Sequence, residues 1–298
     1  MDIRNAVVLA AGRGTRLLPS TKAQPKEMLP VGRKPLVQYV VEELAANGID
    51  SALFVTGRRK RAIEDHFDED LELTEHLTRS GKKDLLDALR FEQCGVAFFY
   101  TRQSRQLGTG HAVACAREFA ADQPFVVAMG DSLITGESDP PLLRRMMHAY
   151  DDTHGGCVIA FREVPDADTQ RYGVALPHGD GPVFEVRDLV EKPPPGTAPS
   201  NLAIAARYIL PPSVFEMIDQ TPPAANGEIQ LTDTFRLMIR AGINVVGVKL
   251  APGERRCDIG NFTSYCRTFI DFALDDPEAG PQLHAYLRDK LDAAEPQT

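Results

Sequence analysis

The apolar run Ala6–Ala10 leads into Ala11-Gly12-Arg13-Gly14-Thr15-Arg16. These residue types suit a phosphate. Glycines let the backbone approach a ligand and take up φ > 0, so successive N–H groups can surround phosphate oxygens. Arg13 and Arg16 add charge-assisted donors. The same segment also reads as an ordinary strand-to-loop turn. Spacing excludes two familiar nucleotide loops. The pattern G-x-G-x-x-G needs glycine at position 17, where Leu17 stands, and no Gly-Lys-Ser/Thr triplet occurs in the chain. Just downstream, Pro25-Lys26-Glu27-Met28-Leu29-Pro30 sets a lysine between two prolines. The fixed φ of proline stiffens the segment, which suits a lysine held against a phosphate.

Charge supports an anionic small molecule. From Arg13 to Lys34, six basic residues face Glu27 alone, a local charge of +5 within a chain of net charge −9. The overall balance argues against a general nucleic-acid binder, which carries a basic face; local charge is what a small anion meets. Asp131 follows the apolar run Phe125–Met129, at a strand's carboxyl end, where α/β proteins place ligands. Asp258 lies far away in sequence. From the residues alone, each aspartate reads as a cap or turn residue.

These groups need a frame to hold them. Ala6–Ala10, Ser51–Thr56, Val96–Tyr100 and Phe125–Met129 are predicted strands, alternating with helices over Pro35–Asn47, Lys60–Phe67 and Gly110–Phe119. Such alternation implies βαβ units. Residues 68–93 are charged and leucine-containing, and predict one or two helices inserted on the surface. Gly156–Arg162, Gly173–Leu176, Val183–Glu191 and Ala203–Leu210 are further strands; Phe262–Ala273 and Leu283–Leu291 are closing helices. With 298 residues, 43% of them hydrophobic, and no clean linker, the expectation is one continuous domain over 1–292. Its nucleotide-binding part covers about 1–135 and its sugar-binding part about 136–261. The helices follow over 262–292, and residues 293–298 fray. Five cysteines without C-x-x-C spacing favour reduced thiols in a cytoplasmic protein over a disulfide framework or zinc site. No run is long enough to span a membrane, and the N-terminus lacks the layout of a signal peptide.

Taken together, G-x-G-T-R followed by P-K resembles the sugar nucleotidyltransferases, and the resemblance extends along the chain to the bacterial UTP–glucose-1-phosphate uridylyltransferases. Its further motifs are Lys34–Tyr39, Gly108-Thr109-Gly110-His111-Ala112, Gly130-Asp131, Tyr172-Gly173-Val174, Val190-Glu191-Lys192-Pro193, Pro199–Ile204, Glu228–Asp233 and Asp258-Ile259-Gly260-Asn261. The resemblance implies an α/β fold with a Rossmann-like mixed, mostly parallel central sheet flanked by helices. It implies uridylyl transfer from UTP to glucose 1-phosphate, giving UDP-glucose and pyrophosphate, with Mg²⁺ held by Asp131 and Asp258. Ala10, Ala11, Gly12, Arg13, Gly14 and Thr15, with Gln103 and Gly108, would bind the nucleotide; the Gln103 amide offers the donor and acceptor that a uracil edge needs, although alone it reads as a solvated loop residue. Arg16 and Lys26 would stabilise the triphosphate. Gly173, Glu191, Lys192 and Asn201 would form the sugar side, with Lys192 on the sugar phosphate; from the residues alone, Glu191 and Lys192 read as a surface ion pair. The Glu228–Asp233 stretch would support the sugar pocket or a subunit contact. Such enzymes are commonly homo-oligomers.

The implied reaction needs little proton transfer, because the attacking phosphate oxygen is already ionised. His111 is therefore expected to cap or pack at the start of its helix. Two positions depart from the pattern. Gly130 stands where proline is more typical, and Ala205-Ala206 replaces a pair that usually contains glycine. These departures keep glucose-1-phosphate thymidylyl transfer in view as the alternative, with a non-catalytic nucleotide-sugar sensor behind it.

Overall fold

The computed structural model describes residues 2–294. Among the described residues thirteen strands form: β1 (Asn5–Ala10), β2 (Pro30–Val31), β3 (Lys34–Pro35), β4 (Ser51–Thr56), β5 (Ala97–Arg102), β6 (Phe125–Met129), β7 (Ser132–Thr135), β8 (Cys157–Glu163), β9 (Gly173–His178), β10 (Val183–Glu191), β11 (Leu202–Leu210), β12 (Val245–Lys249) and β13 (Arg255–Asp258). Nine build one sheet in the order β5-β4-β1-β6-β11-β8-β12-β10-β9. β5, β4, β1 and β6 are mutually parallel, as are β8 and β12. β11 runs antiparallel to β6 and β8, and β10 antiparallel to β12 and β9. Seven of the nine strands therefore point one way. The sheet is mixed and mostly parallel in direction, as the resemblance implied.

Both faces of this sheet are covered, so its central strands read as unbroken apolar runs. Alternate residues feed two separate cores. Ala6, Val8 and Ala10 of β1 meet helix Leu36–Ala46 and helix Leu142–Asp151 on one face. Val7 and Leu9 join the opposite core with helices Gly108–Ala114, Val214–Gln220 and Leu231–Arg240. This nine-stranded sheet takes β5, β4, β1 and β6 from the first half of the chain and its other five strands from the second.

Several expectations need adjustment. The helix expected over Gly110–Phe119 is two, Gly108–Ala114 and Arg117–Ala120, because the chain leaves helical geometry at Cys115–Ala116. Residues 68–93 form helices Leu71–Arg79 and Lys83–Ala88 and a 3-10 turn, Arg90–Gln93. The last helix, Gly280–Ala294, extends beyond the predicted Leu283–Leu291 and takes in two residues of the expected frayed tail; 295–298 lie outside the described residues. Helices 142–151, 214–220 and 231–240 and strand β12 had no counterpart in the sequence reading.

Gly130 has a structural reason. Its N–H donates to Leu9 O at 2.9 Å, continuing the β1–β6 ladder by one rung. Proline has no N–H to give there. An added Cβ would also come 3.1 Å from the same carbonyl.

Candidate active site

β1 ends at Ala10, and the glycine-rich loop turns there across the sheet's carboxyl edge. Gly14 is left-handed at φ 67° and starts the 3-10 turn Thr15–Leu17. Thr21 Oγ1 donates to Gly14 O at 2.7 Å and pins the turn. Gly12 is required for a different reason: a Cβ there would come 3.3 Å from Lys26 Nζ. Lys26 thus lies directly over the loop. It opens a second 3-10 turn, Lys26–Met28, entered from Pro25.

Lys26 Nζ donates to Asp131 Oδ2 in a mostly buried ion pair. Burial pulls the Lys26 ammonium down, but Asp131 and Glu27 outweigh it and the net shift is upward. Asp131 mirrors this. Burial alone would raise it, yet Lys26 and then Arg256 hold it below the ordinary carboxylate value. Beneath the pair, Lys60 binds Glu27, which is 1% exposed. Burial raises the Glu27 carboxyl despite Lys60 and Lys26.

Asp258 reaches Asp131 through a two-stranded ribbon, β7 with β13. Its register sets Asp258 opposite Ser132, next to Asp131 in the chain. Asp258 Oδ1 accepts from Gly260 N at 3.2 Å, and Oδ2 lies 3.5 Å from Arg256 Nη2. Both aspartates line one cavity of about 670 Å³, together with Arg16, Gly173, Glu191, Lys192 and Arg256. That volume is typical of a small-ligand site. Two carboxylates lining a basic cavity are a donor set that fits a divalent cation, which usually completes its shell with water and ligand oxygens. Among the described residues no group of three or more His, Cys, Asp or Glu side chains is placed to hold a metal.

In the same cavity, Glu191 ends β10. Its Oε2 accepts from Thr232 Oγ1 at 2.8 Å, and its Oε1 faces Lys192 Nζ at 3.2 Å. Lys192 sits at φ 46°, a left-handed backbone uncommon for a side-chain-bearing residue and concentrated at functional sites. A Cβ on Gly173 would come 3.1 Å from Glu191 Oε2. Ala206 also lines this cavity, at φ 63°, where glycine is at ease. Asn201 is exposed and outside this cavity's lining; its carbonyl accepts from Val164 N.

A neighbouring cavity is lined by Ala11, Gly12, Arg13, Lys26, Gln103 and Leu107. A small cavity at Gly12–Leu17 shares lining residues with both, so the three lie side by side. Ala10 is buried at the strand end. Gln103 is 4% exposed rather than solvated. Its Nε2 donates to Gly108 O and meets His111 Nδ1, each at 3.0 Å. His111 is therefore packed against Gln103 in the first turn of its helix. Gly108, at φ 95°, has Ile229 O 2.4 Å from where a Cβ would be. Ile229 N donates to Leu107 O, and Gly110 N to Ile229 O. The Glu228–Asp233 stretch thus braces the Gly108–Ala112 motif and, through Thr232, holds Glu191.

Sequence reasoning missed much of the positive charge. The cavity beside Gln103 is also lined by Arg58, Arg59, Lys60 and Arg105, with no acidic residue. The run Arg58-Arg59-Lys60 just after an expected strand was a usable signal. Arg171 and Arg256, lining the cavity with Glu191, had none.

A model of the nucleotidyl transferase family matches residues 5–273. The UTP–glucose-1-phosphate uridylyltransferase of Staphylococcus epidermidis is 44% identical over 287 residues, covering 96% of this chain and 98% of that one. Among solved structures, the UTP-bound UGPase from Acinetobacter baumannii superposes with a TM-score of 0.86 at 32% identity, over 96% of this chain and 98% of that one. A UDP-glucose pyrophosphorylase complexed with UDP-glucose gives 0.83 at 34% identity, over 92% and 100%. This chain belongs to the nucleotidyl transferase family.

Proposed function

We propose that the protein transfers the uridylyl group of UTP to glucose 1-phosphate, releasing pyrophosphate. The observation that carries the reading is a single cleft with two ends. Gln103 and the glycine-rich loop stand at one end, Glu191 and Lys192 at the other, and Lys26, Arg16, Asp131 and Asp258 between them. Relatives named for this reaction cover nearly the whole chain.

In this reading a sugar-phosphate oxygen attacks the α-phosphorus of UTP in line. The P–O bond to the β-phosphate breaks, and pyrophosphate leaves with the electron pair. Both reactants are anions, so positioning and charge stabilisation supply the catalysis. Lys26 and Arg16 hold the triphosphate, and Lys192 the incoming phosphate. Glu191, oriented by Thr232, takes sugar hydroxyls. Gly12, Gly14 and Thr15 offer backbone N–H groups to the phosphates. Asp131 and Asp258 would hold a divalent cation, Mg²⁺ in our reading, which when bound neutralises phosphate charge as a Lewis acid. No side chain needs to form a covalent intermediate.

The functional division into a nucleotide part and a sugar part within one continuous domain follows from the same cleft. A homo-oligomer is part of the proposal, supported by the exposed Phe262, Phe269 and Ile270 of the closing helices; sedimentation velocity tests it. Cytoplasmic residence is proposed too, in keeping with five free cysteine thiols. No described helix is long and apolar enough to cross a membrane.

The test is a substrate panel: the protein with glucose 1-phosphate, Mg²⁺ and each nucleoside triphosphate, reading pyrophosphate. Release with UTP foremost supports the proposal. Preference for dTTP moves the activity to thymidylyl transfer, and no release with any triphosphate refutes an enzymatic role with this sugar.

A further inference from the structure

Tyr172 carries an unusual load. Three guanidinium groups surround its ring, with Arg162, Arg256 and Arg171 Cζ at 5.2, 5.3 and 5.6 Å from the centroid. Cation–π contact steadies each of them, but like charges crowded together repel. Burial pushes the Arg162 guanidinium down, and Arg256 pushes it further. The counter-charges are few. Asp168 lies 3.2 Å from Arg171, and Asp258 3.5 Å from Arg256. Arg162 donates to two neutral groups, Arg256 O at 3.1 Å and Tyr172 Oη at 3.0 Å, while its Nε is buried without a partner. Asp131 also acts on Arg256; if Asp258 and Asp131 both turn to a cation, Arg256 loses these two carboxylates as well. The cluster is short of negative charge.

Tyr172, Arg171 and Arg256 line the same cavity as Gly173, Glu191 and Lys192. We propose that Arg256 and Arg171, mounted on Tyr172, form the phosphate-recognising wall of the sugar 1-phosphate subsite. This rests on the function proposed above. Arg256 is the better placed. Its side chain is 12% exposed, against 60% for Lys192, so its charge acts with less solvent screening. Its Nε donates to Ser132 Oγ at 2.6 Å, which fixes the plane of the fork. A planar guanidinium matches two phosphate oxygens where an ammonium matches one. Lys192 then assists rather than carries the contact alone.

The test is steady-state kinetics on Arg256→Gln, Arg256→Lys and Arg171→Gln. Losing a charge-assisted hydrogen bond to the phosphate raises KM for glucose 1-phosphate about ten- to a hundredfold in Arg256→Gln. KM for UTP stays within about twofold, a split that general loosening of the fold does not produce. Arg256→Lys restores only part of the loss, because it keeps charge without the fork. If Arg256→Gln does not fold, Arg171→Gln, with a 47% exposed side chain, decides the question. An unchanged KM for glucose 1-phosphate in a folded variant, while the parent turns over, overturns the arginine wall and leaves the uridylyl reading standing. No turnover by the parent refutes that reading instead. Protection against thermal unfolding by inorganic phosphate, present in the parent and absent in the folded variant, then supports the wall; equal protection overturns it.

Discussion

Replacing Lys26 by methionine keeps much of the side chain's bulk and removes its charge, which separates what Lys26 does for the fold from what it does for the reaction. The Lys26 and Asp131 side chains are 13% and 20% exposed. Removing one member of a buried pair costs about 3–5 kcal/mol. Residual solvent contact and the second counter-charge from Arg256 bring the expectation here to about 2–3 kcal/mol. The loss depends on pH with a definite sign. Asp131 sits below its ordinary value in the parent, so its contribution is present above the unfolded carboxylate pKa, near 3.9, and is lost as pH falls through the folded value. Lys26 is raised, so its contribution holds below the unfolded ammonium pKa, near 10.4, and is lost as pH rises through the folded value. The stability gap between Lys26→Met and the parent is therefore widest near neutrality and narrows toward both ends. Urea unfolding followed by circular dichroism measures it, with points below about pH 4 and above about pH 10, where each contribution is lost, as well as at neutrality. Adding Asp131→Asn removes the stranded carboxylate and returns stability to within about 1 kcal/mol of the parent. Turnover behaves otherwise. It falls by about 10²–10³ in Lys26→Met, the usual effect of deleting one preorganised charge at a reacting phosphate, and the double variant does not recover it. A single variant with the parent's denaturation midpoint, or with turnover within tenfold of the parent, would refute this reasoning.

Two further substitutions probe the scaffold and the sugar side. Arg207, 0% exposed on β11, donates to Glu43 at 3.2, 3.2 and 2.6 Å. Glu43→Ala should cost about 3–5 kcal/mol in the same urea assay, and a loss under about 1 kcal/mol would contradict the pairing. Thr232→Val removes the 2.8 Å hydrogen bond that orients Glu191; we expect KM for glucose 1-phosphate to rise about tenfold with a normal urea midpoint, and equal rises for both substrates would count against a sugar-specific role.

Much of the central sheet was legible because its strands are buried on both faces. Ser51–Thr56, Phe125–Met129 and Val183–Glu191 occur where their apolar runs or alternation placed them. The glycine-rich loop was legible for a local reason: φ > 0 at Gly14 and the close approach of Lys26 to Gly12 are written in residue type. Partners distant in the chain were not. The β7–β13 ribbon joins segments more than a hundred residues apart and has no local signature, so the pairing of Asp131 with Asp258 came only through the family resemblance. Helix Leu231–Arg240 starts at Gln230 without a side-chain cap, which left no start signal. Arg171 and Arg256 converge on Tyr172 only in the fold. Ala206 looked like a simple replacement for glycine; its φ of 63° shows the backbone has kept the conformation glycine would favour.

The central claim, attack at the α-phosphorus by the sugar phosphate, is tested most directly by following label. UTP carrying ³²P at the α-position, and separately at the γ-position, is incubated with the protein, Mg²⁺ and glucose 1-phosphate. We predict that the α-label appears in UDP-glucose and the γ-label in pyrophosphate. Label from the γ-position in a sugar phosphate, or α-label released as UMP without sugar, would contradict the account.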